Sequence, residues 1–171
     1  MLKSLLATAA TAAMLIGATA TAQAHTKELW MLGGFSHPES VELDIPHQVL
    51  YVSNVGGAPT AKDGNGFISK VSRDGKLLEL KWITGMSAPK GMVIDGFKLY
   101  VSDIDYLVEI DTRTGKIVNR HRASGAIFLN DTALDKDGNV YVSDIATKKI
   151  WQLKDGVFSV WYDKPDLMHP N

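Results

Sequence analysis

After residue 25, apolar and polar positions alternate in short runs broken by glycine-bearing turns. The alternation has a period of two, and no stretch carries the 3.6-residue period of a helix, so the pattern predicts β-strands throughout. Three runs are near copies of one another: LYVSN around Tyr51, LYVSD around Tyr100 and VYVSD around Tyr141. The hairpin glycines Gly75, Gly115 and Gly156 follow at spacings of 40 and 41. In the third copy the pattern predicts strands at 132–134, 140–144, 149–153 and 157–161, with Asp137-Gly138-Asn139 and Asp155-Gly156 as turns.

A four-stranded unit of about 41 residues has the size of a propeller blade. One small antiparallel sheet cannot bury both faces until neighbours stack around an axis. The predicted fold class is therefore all-β, a β-propeller with blades at about 36–84, 85–124 and 125–165 and the start of a fourth at 166–171. The first repeat is longer by about eight residues, and the excess falls in the loop Ala58–Gly66. Within it, Asp63-Gly64-Asn65 lacks the twelve-residue ligand ladder of a calcium loop and reads as a plain turn. The apolar segment Glu28–Phe35 is expected to be a strand completing the outer edge of the last blade in a closed ring. Three blades and a stub would expose two blade faces. The expectation is thus a fragment of a longer chain, or a half that pairs with a missing C-terminal half.

Residues 1–24 read as a signal peptide: Lys3, an Ala-, Leu- and Thr-rich run, then the small-x-small site Ala22-Gln23-Ala24. Four threonines and the lack of a charged stop argue against a membrane span. The domain would then occupy 25–171, in the periplasm or outside the cell. Only Lys3 among the charged residues lies in the leader, so 17 basic and 19 acidic side chains remain, and nothing steers the domain to nucleic acid or an anionic membrane. With no cysteine, disulfides, thiolate zinc sites and thiol catalysis are excluded.

A second column of residues opens each repeat: Glu39, Lys90, Asn130 and Asn171. The inner strand of each blade begins beside the axis, so equivalent side chains converge on one end of the channel. A carboxylate and two carboxamides are hard donors, suited to calcium or another hard divalent cation. Glu39, Asn130 and Asn171 are the candidate metal ligands, and Lys90 and Asn130 the candidate substrate contacts.

Pro38-Glu39-Ser40, Asn130-Asp131 and His169-Pro170-Asn171 resemble the metal-binding positions of the six-bladed calcium propellers, the senescence-marker-protein, gluconolactonase and luciferin-regenerating-enzyme family, with paraoxonases and diisopropylfluorophosphatase as relatives. The resemblance runs from about Gly34 to Asn171 and implies an incomplete six-bladed ring. It also implies a calcium held by Glu39, Asn130, Asn171 and an Asp from a later blade, which has no counterpart here. Lys90 stands where paraoxonases have a functional His, and a Lys serves as a base only if burial or nearby cations lower its pKa. The implied activity is calcium-dependent hydrolysis of a sugar lactone or related ester, the small-molecule partner; no catalytic base is identified.

Other motifs carry less. Asp103 and Asp144 read as caps closing their strands, and Ser36 lacks the glycine pattern of a nucleophile elbow. The five histidines show no metal spacing. The Gly75-Lys76 and Gly115-Lys116 pairs lack the rest of a phosphate loop. Trp30, Trp82, Trp151 and Trp161 are expected to pack between blades. Besides the hydrolase, a non-catalytic propeller that binds a small ligand or partner protein is the alternative.

Overall fold

A computed structural model describes residues 27–168, 170 and 171; the leader, His25 and His169 lie outside them. Twelve strands form three four-stranded antiparallel sheets. Blade 1 is β1 (Pro38–Asp44), β2 (Val49–Asn54), β3 (Gly66–Ser72) and β4 (Leu77–Met86). Blade 2 is β5 (Pro89–Asp95), β6 (Lys98–Asp103), β7 (Tyr106–Asp111) and β8 (Lys116–Arg122). Blade 3 is β9 (Leu129–Leu134), β10 (Val140–Asp144), β11 (Lys149–Lys154) and β12 (Val157–Tyr162). Each sheet pairs its strands in chain order, and the described residues contain no helix. This is propeller-blade architecture, as the strand pattern predicts.

The core lies between blades. Tyr51, Ile68, Ile83 and Met86 of blade 1 pack against Leu99, Val101, Val108 and Ile110 of blade 2. Tyr100 and Leu107 of blade 2 pack against Val140, Val142, Trp151 and Leu153 of blade 3. The YVS run therefore serves both joints: its tyrosine faces the following blade and the flanking aliphatics face the preceding one. Gly91 lets the inner strands β5 and β9 approach closely, since a Cβ there would stand 2.6 Å from the carbonyl oxygen of Asn130.

Segment 27–35 departs from the expected edge strand. It forms no strand and lies across the side of blade 1 that faces away from blade 2, where Trp30 donates to the carbonyl of Arg73 at 3.1 Å. Among the described residues no other blade stands on that side, and the segment's apolar side chains shelter the sheet's face. The tryptophans divide accordingly. Trp82 stacks on Tyr51 at 4.8 Å and Trp151 is buried between blades 2 and 3, whereas Trp30 and Trp161 lie on the outer faces of blades 1 and 3, against which no other blade packs among the described residues. Asp63 accepts from the backbone of Asn65, a local turn as expected.

Candidate functional site

Each inner strand breaks register with its neighbour at the same step. The ladder shifts between Pro38 and Val41, between Pro89 and Met92, and opposite Val142 and Asp144. Glu39, Lys90 and Asn130 sit inside these irregularities, where a bulge re-aims a side chain that a regular ladder would turn toward a sheet face.

Two repeat positions hold the bulges in place. The serine of each YVS run reaches the bulged backbone: Ser53 Oγ accepts from Ser40 N at 2.9 Å, Ser102 donates to Gly91 O at 3.4 Å, and Ser143 Oγ accepts from Asp131 N at 3.0 Å. The residue after the serine holds the incoming loop. Asn54 accepts from Ser36 N; Asp103 accepts from Ser87 and Ala88; Asp144 accepts from Ile127 and Phe128 at 3.1 Å each, and also from Ala146 and Thr147. Asp144 caps the turn that follows it, as read from the sequence, whereas Asp103 holds only the loop that enters β5; both bind the loop leading to a column residue.

Lys90 is 2% exposed. Its Nζ donates to Ala88 O at 2.8 Å and lies 4.5 Å from the centre of the Phe128 ring. Burial holds the ammonium below the usual lysine range, opposed by the charges of Asp103 and Glu39. Asn130 is buried, its carbonyl accepts from Ser102, and its carboxamide N–H donates to the carboxamide oxygen of Asn171. Asn171 is exposed beside an open hollow of about 320 Å3 that also touches Asp131, Tyr141 and Ile150.

Glu39 stands at the solvent-exposed rim. Its carboxyl is pushed up, first by partial desolvation and then by the charge of Asp131, while Lys90 pulls the other way. The fold thus brings Asn130 and Asn171 into contact and sets Glu39 in the fields of Lys90 and Asp131. Asp131 is the carboxylate that reading the column alone passed over; its position directly after Asn130 was the available signal. Among the described residues no three His, Cys, Asp or Glu side chains gather as a metal site, so a cation here would need the carboxamides. The donor chemistry of Glu39, Asn130, Asp131 and Asn171, all oxygen, fits a hard divalent ion. His47 pairs with Asp44 and His121 with Glu109.

No family model and no curated protein matches the sequence. Its likeness is to solved structures of β-propeller proteins. A catalytically inactive variant of virginiamycin B lyase from Staphylococcus aureus, solved with quinupristin, superposes with a TM-score of 0.59 at 13% identity, over 80% of this chain and 44% of that one. The nidogen/laminin complex gives 0.58 at 17% identity, over 80% and 49%. The calcium-binding protein regucalcin from Agrobacterium tumefaciens gives 0.55 at 16% identity, over 77% and 46%. The chain spans less than half the length of each. The class is defined by the fold: the described residues form three blades of a β-propeller, consistent with an incomplete propeller.

Proposed function

We propose that the axial end carrying Glu39, Asn130 and Asn171 is a calcium site of a lactonase-like hydrolase acting on a sugar lactone or related ester, in the periplasm or outside the cell. The observation that carries this reading is the meeting of the Asn130 and Asn171 side chains from consecutive repeats beside the Asp131 carboxylate. Regucalcin, a calcium-binding propeller of similar fold, and the leader pattern of residues 1–24 support it. Another hard divalent cation would suit the same donors.

When bound, calcium supplies Lewis acidity toward a carbonyl oxygen. The chain's own residues would do the rest. Glu39 and Asp131 would offset the ion's charge, Asn130 would offer its carboxamide oxygen, and Lys90, fixed behind the rim by Ala88, would draw an anionic part of the substrate by its field. The buried setting of Lys90 strengthens that attraction through low local dielectric. The test is release of acid from sugar lactones with calcium and after chelation: calcium-dependent turnover supports the reading, and equal rates in both count against it.

A second reading is a propeller that binds without catalysis. It is favoured by the fixed contacts of Lys90, whose Nζ is engaged by Ala88 and Phe128. Calcium-linked stabilisation without turnover would select it.

A further inference from the structure

The third strand of each blade sets one polar side chain opposite the repeat tyrosine, and the three copies differ in what meets it. Lys70 stands opposite Tyr51, Glu109 opposite Tyr100 and Gln152 opposite Tyr141. Glu109 is bonded by Lys98 at 2.9 Å and by His121 at 3.2 Å, and Gln152 donates to the Tyr141 hydroxyl at 2.7 Å. Lys70 has only an aromatic ring, its Nζ lying 5.4 Å from the centre of Trp82. No carboxylate among the described residues forms an ion pair with it, and Glu79, its cross-strand neighbour, is exposed. A half-buried ammonium without a counter-charge carries a desolvation cost that an anion would offset.

Lys70 opens onto a hollow of about 210 Å3 in the joint between blades 1 and 2. Three turns wall it: His47 comes from the β1–β2 turn, Phe97 from β5–β6, and Thr112 with Arg113 from β7–β8, around a floor that includes Tyr51. These turns lie at the end of the blades opposite Glu39 and Lys90, because β1 and β5 start at the column and run away from it. No carboxylate lines the hollow. Asp44 and Asp111 instead hold two of its cationic or basic side chains in place, His47 and Arg113, each at 2.8 Å. Those contacts take Nδ1 of His47 and the Nε and Nη2 groups of Arg113, so His47 Nε2 and Arg113 Nη1 have no partner among the described residues.

The aromatic walls are fixed too. Phe97 has Arg113 at 5.0 Å from its ring centre and the His47 ring at 4.9 Å, and its carbonyl accepts from both N and Oγ1 of Thr112. Tyr51 is stacked on Trp82. We propose that this hollow is a second ligand site, for a small planar carboxylate whose acid group meets Lys70 and Arg113 and whose ring lies along Phe97 and Tyr51. Charge-assisted bonds to the two cations fix the acid group, and the aromatic walls favour a flat ring over a compact inorganic anion. A volume below the roughly 300 Å3 at which drug-sized pockets begin limits the ligand to a single ring. The site needs no metal and stands apart from Glu39, Asn130 and Asn171, so it goes beyond the calcium reading and does not depend on it.

Calorimetry with benzoate tests this on the purified chain. Saturable binding with a dissociation constant at or below the millimolar range is expected, unchanged when calcium is chelated. Benzamide, which keeps the ring and loses the charge, is expected to bind about tenfold more weakly, the worth of one charge-assisted contact. Inorganic phosphate, which keeps the charge and loses the ring, is expected to bind severalfold more weakly. Lys70→Met keeps the length of the side chain and loses its charge, so about tenfold weaker benzoate binding is expected with an unchanged strand signal in circular dichroism. Lys70→Arg should retain most of the affinity. No saturable binding of benzoate, equal affinity for benzamide or phosphate, binding lost on chelation, or a Lys70→Met variant that binds like the wild type would each overturn the site. Should Lys70→Met fail to fold, amide chemical shifts of the wild type under benzoate titration decide: changes centred on His47, Phe97 and Thr112 support the site, and changes centred elsewhere overturn it.

Discussion

Asn130 donates its carboxamide N–H to the carboxamide oxygen of Asn171, 41 residues further on, so the repeat length is also the spacing that joins two donors at one end of the blades. The contact depends on a bulge in β9 and on the caps and hydroxyls that hold it.

Asp144 is the cap with most at stake. It is fully buried and accepts backbone N–H groups from Ile127, Phe128, Ala146 and Thr147. Asp144→Ala would leave four part-buried backbone N–H groups without their acceptor, and because water reaches some of them the cost is below the full penalty for each, so a loss of about 2–3 kcal/mol is expected in urea unfolding. A loss below about 1 kcal/mol would mean that water replaces the cap.

Gly91→Ala should disturb the site from a distance. The added Cβ would lie 2.6 Å from the Asn130 carbonyl and 2.6 Å from Asp131 Cα, both backbone atoms. Overpacking of that kind costs about 1–3 kcal/mol. The expected result is a lower melting midpoint together with weakened calcium binding, and a variant as stable as the wild type would show that β5 and β9 separate easily.

Lys90→Met removes a buried cation that has no carboxylate in contact. Exchanging such a charge for an apolar chain of similar volume is expected to be neutral or stabilising by about 1 kcal/mol. With one positive charge fewer beside the donors, calcium should bind severalfold more tightly by calorimetry. Weaker binding would assign Lys90 a supporting role instead.

Alkaline stability should follow Tyr51. Its phenol is pushed up from 10.0 to about 12, chiefly by burial and then by the charge of Asp44. A pKa raised in the folded state means that the native protein holds the proton longer than the unfolded chain. The contribution is thus full below pH 10 and lost as pH rises toward about 12, on the order of 2 kcal/mol. Tyr51→Phe should flatten that stretch of the stability profile, and an unchanged slope would place the titration elsewhere.

Much of this was legible in the chain. The YVS runs and hairpin glycines locate the blades, because a period of two and a positive φ at Gly75, Gly115 and Gly156 are local requirements. The turn cap at Asp144 was also readable from turn chemistry, while the hold of Asp103 on the distant Ser87–Ala88 backbone was not. The role of Ser53, Ser102 and Ser143 was not, since a hydroxyl bonded to a bulge across the sheet leaves no local signature. Nor was the placement of segment 27–35: its apolar residues fit either a strand or a cover, and the choice rests on which surface stands nearby. Asp131 was visible beside Asn130, but its effect on Glu39 depends on distance between blades, which sequence spacing does not give.

The most direct test of the proposed site is the melting midpoint under calcium titration, for the wild type and for Asn130→Ala. A ligand that binds only the folded state stabilises it by about 2.7 kcal/mol at a hundred times its dissociation constant. The account predicts a midpoint that rises with calcium in the wild type and a flat response in Asn130→Ala, with the blade's strand signal kept. No shift in the wild type at millimolar calcium, or the same shift in both proteins, would contradict it.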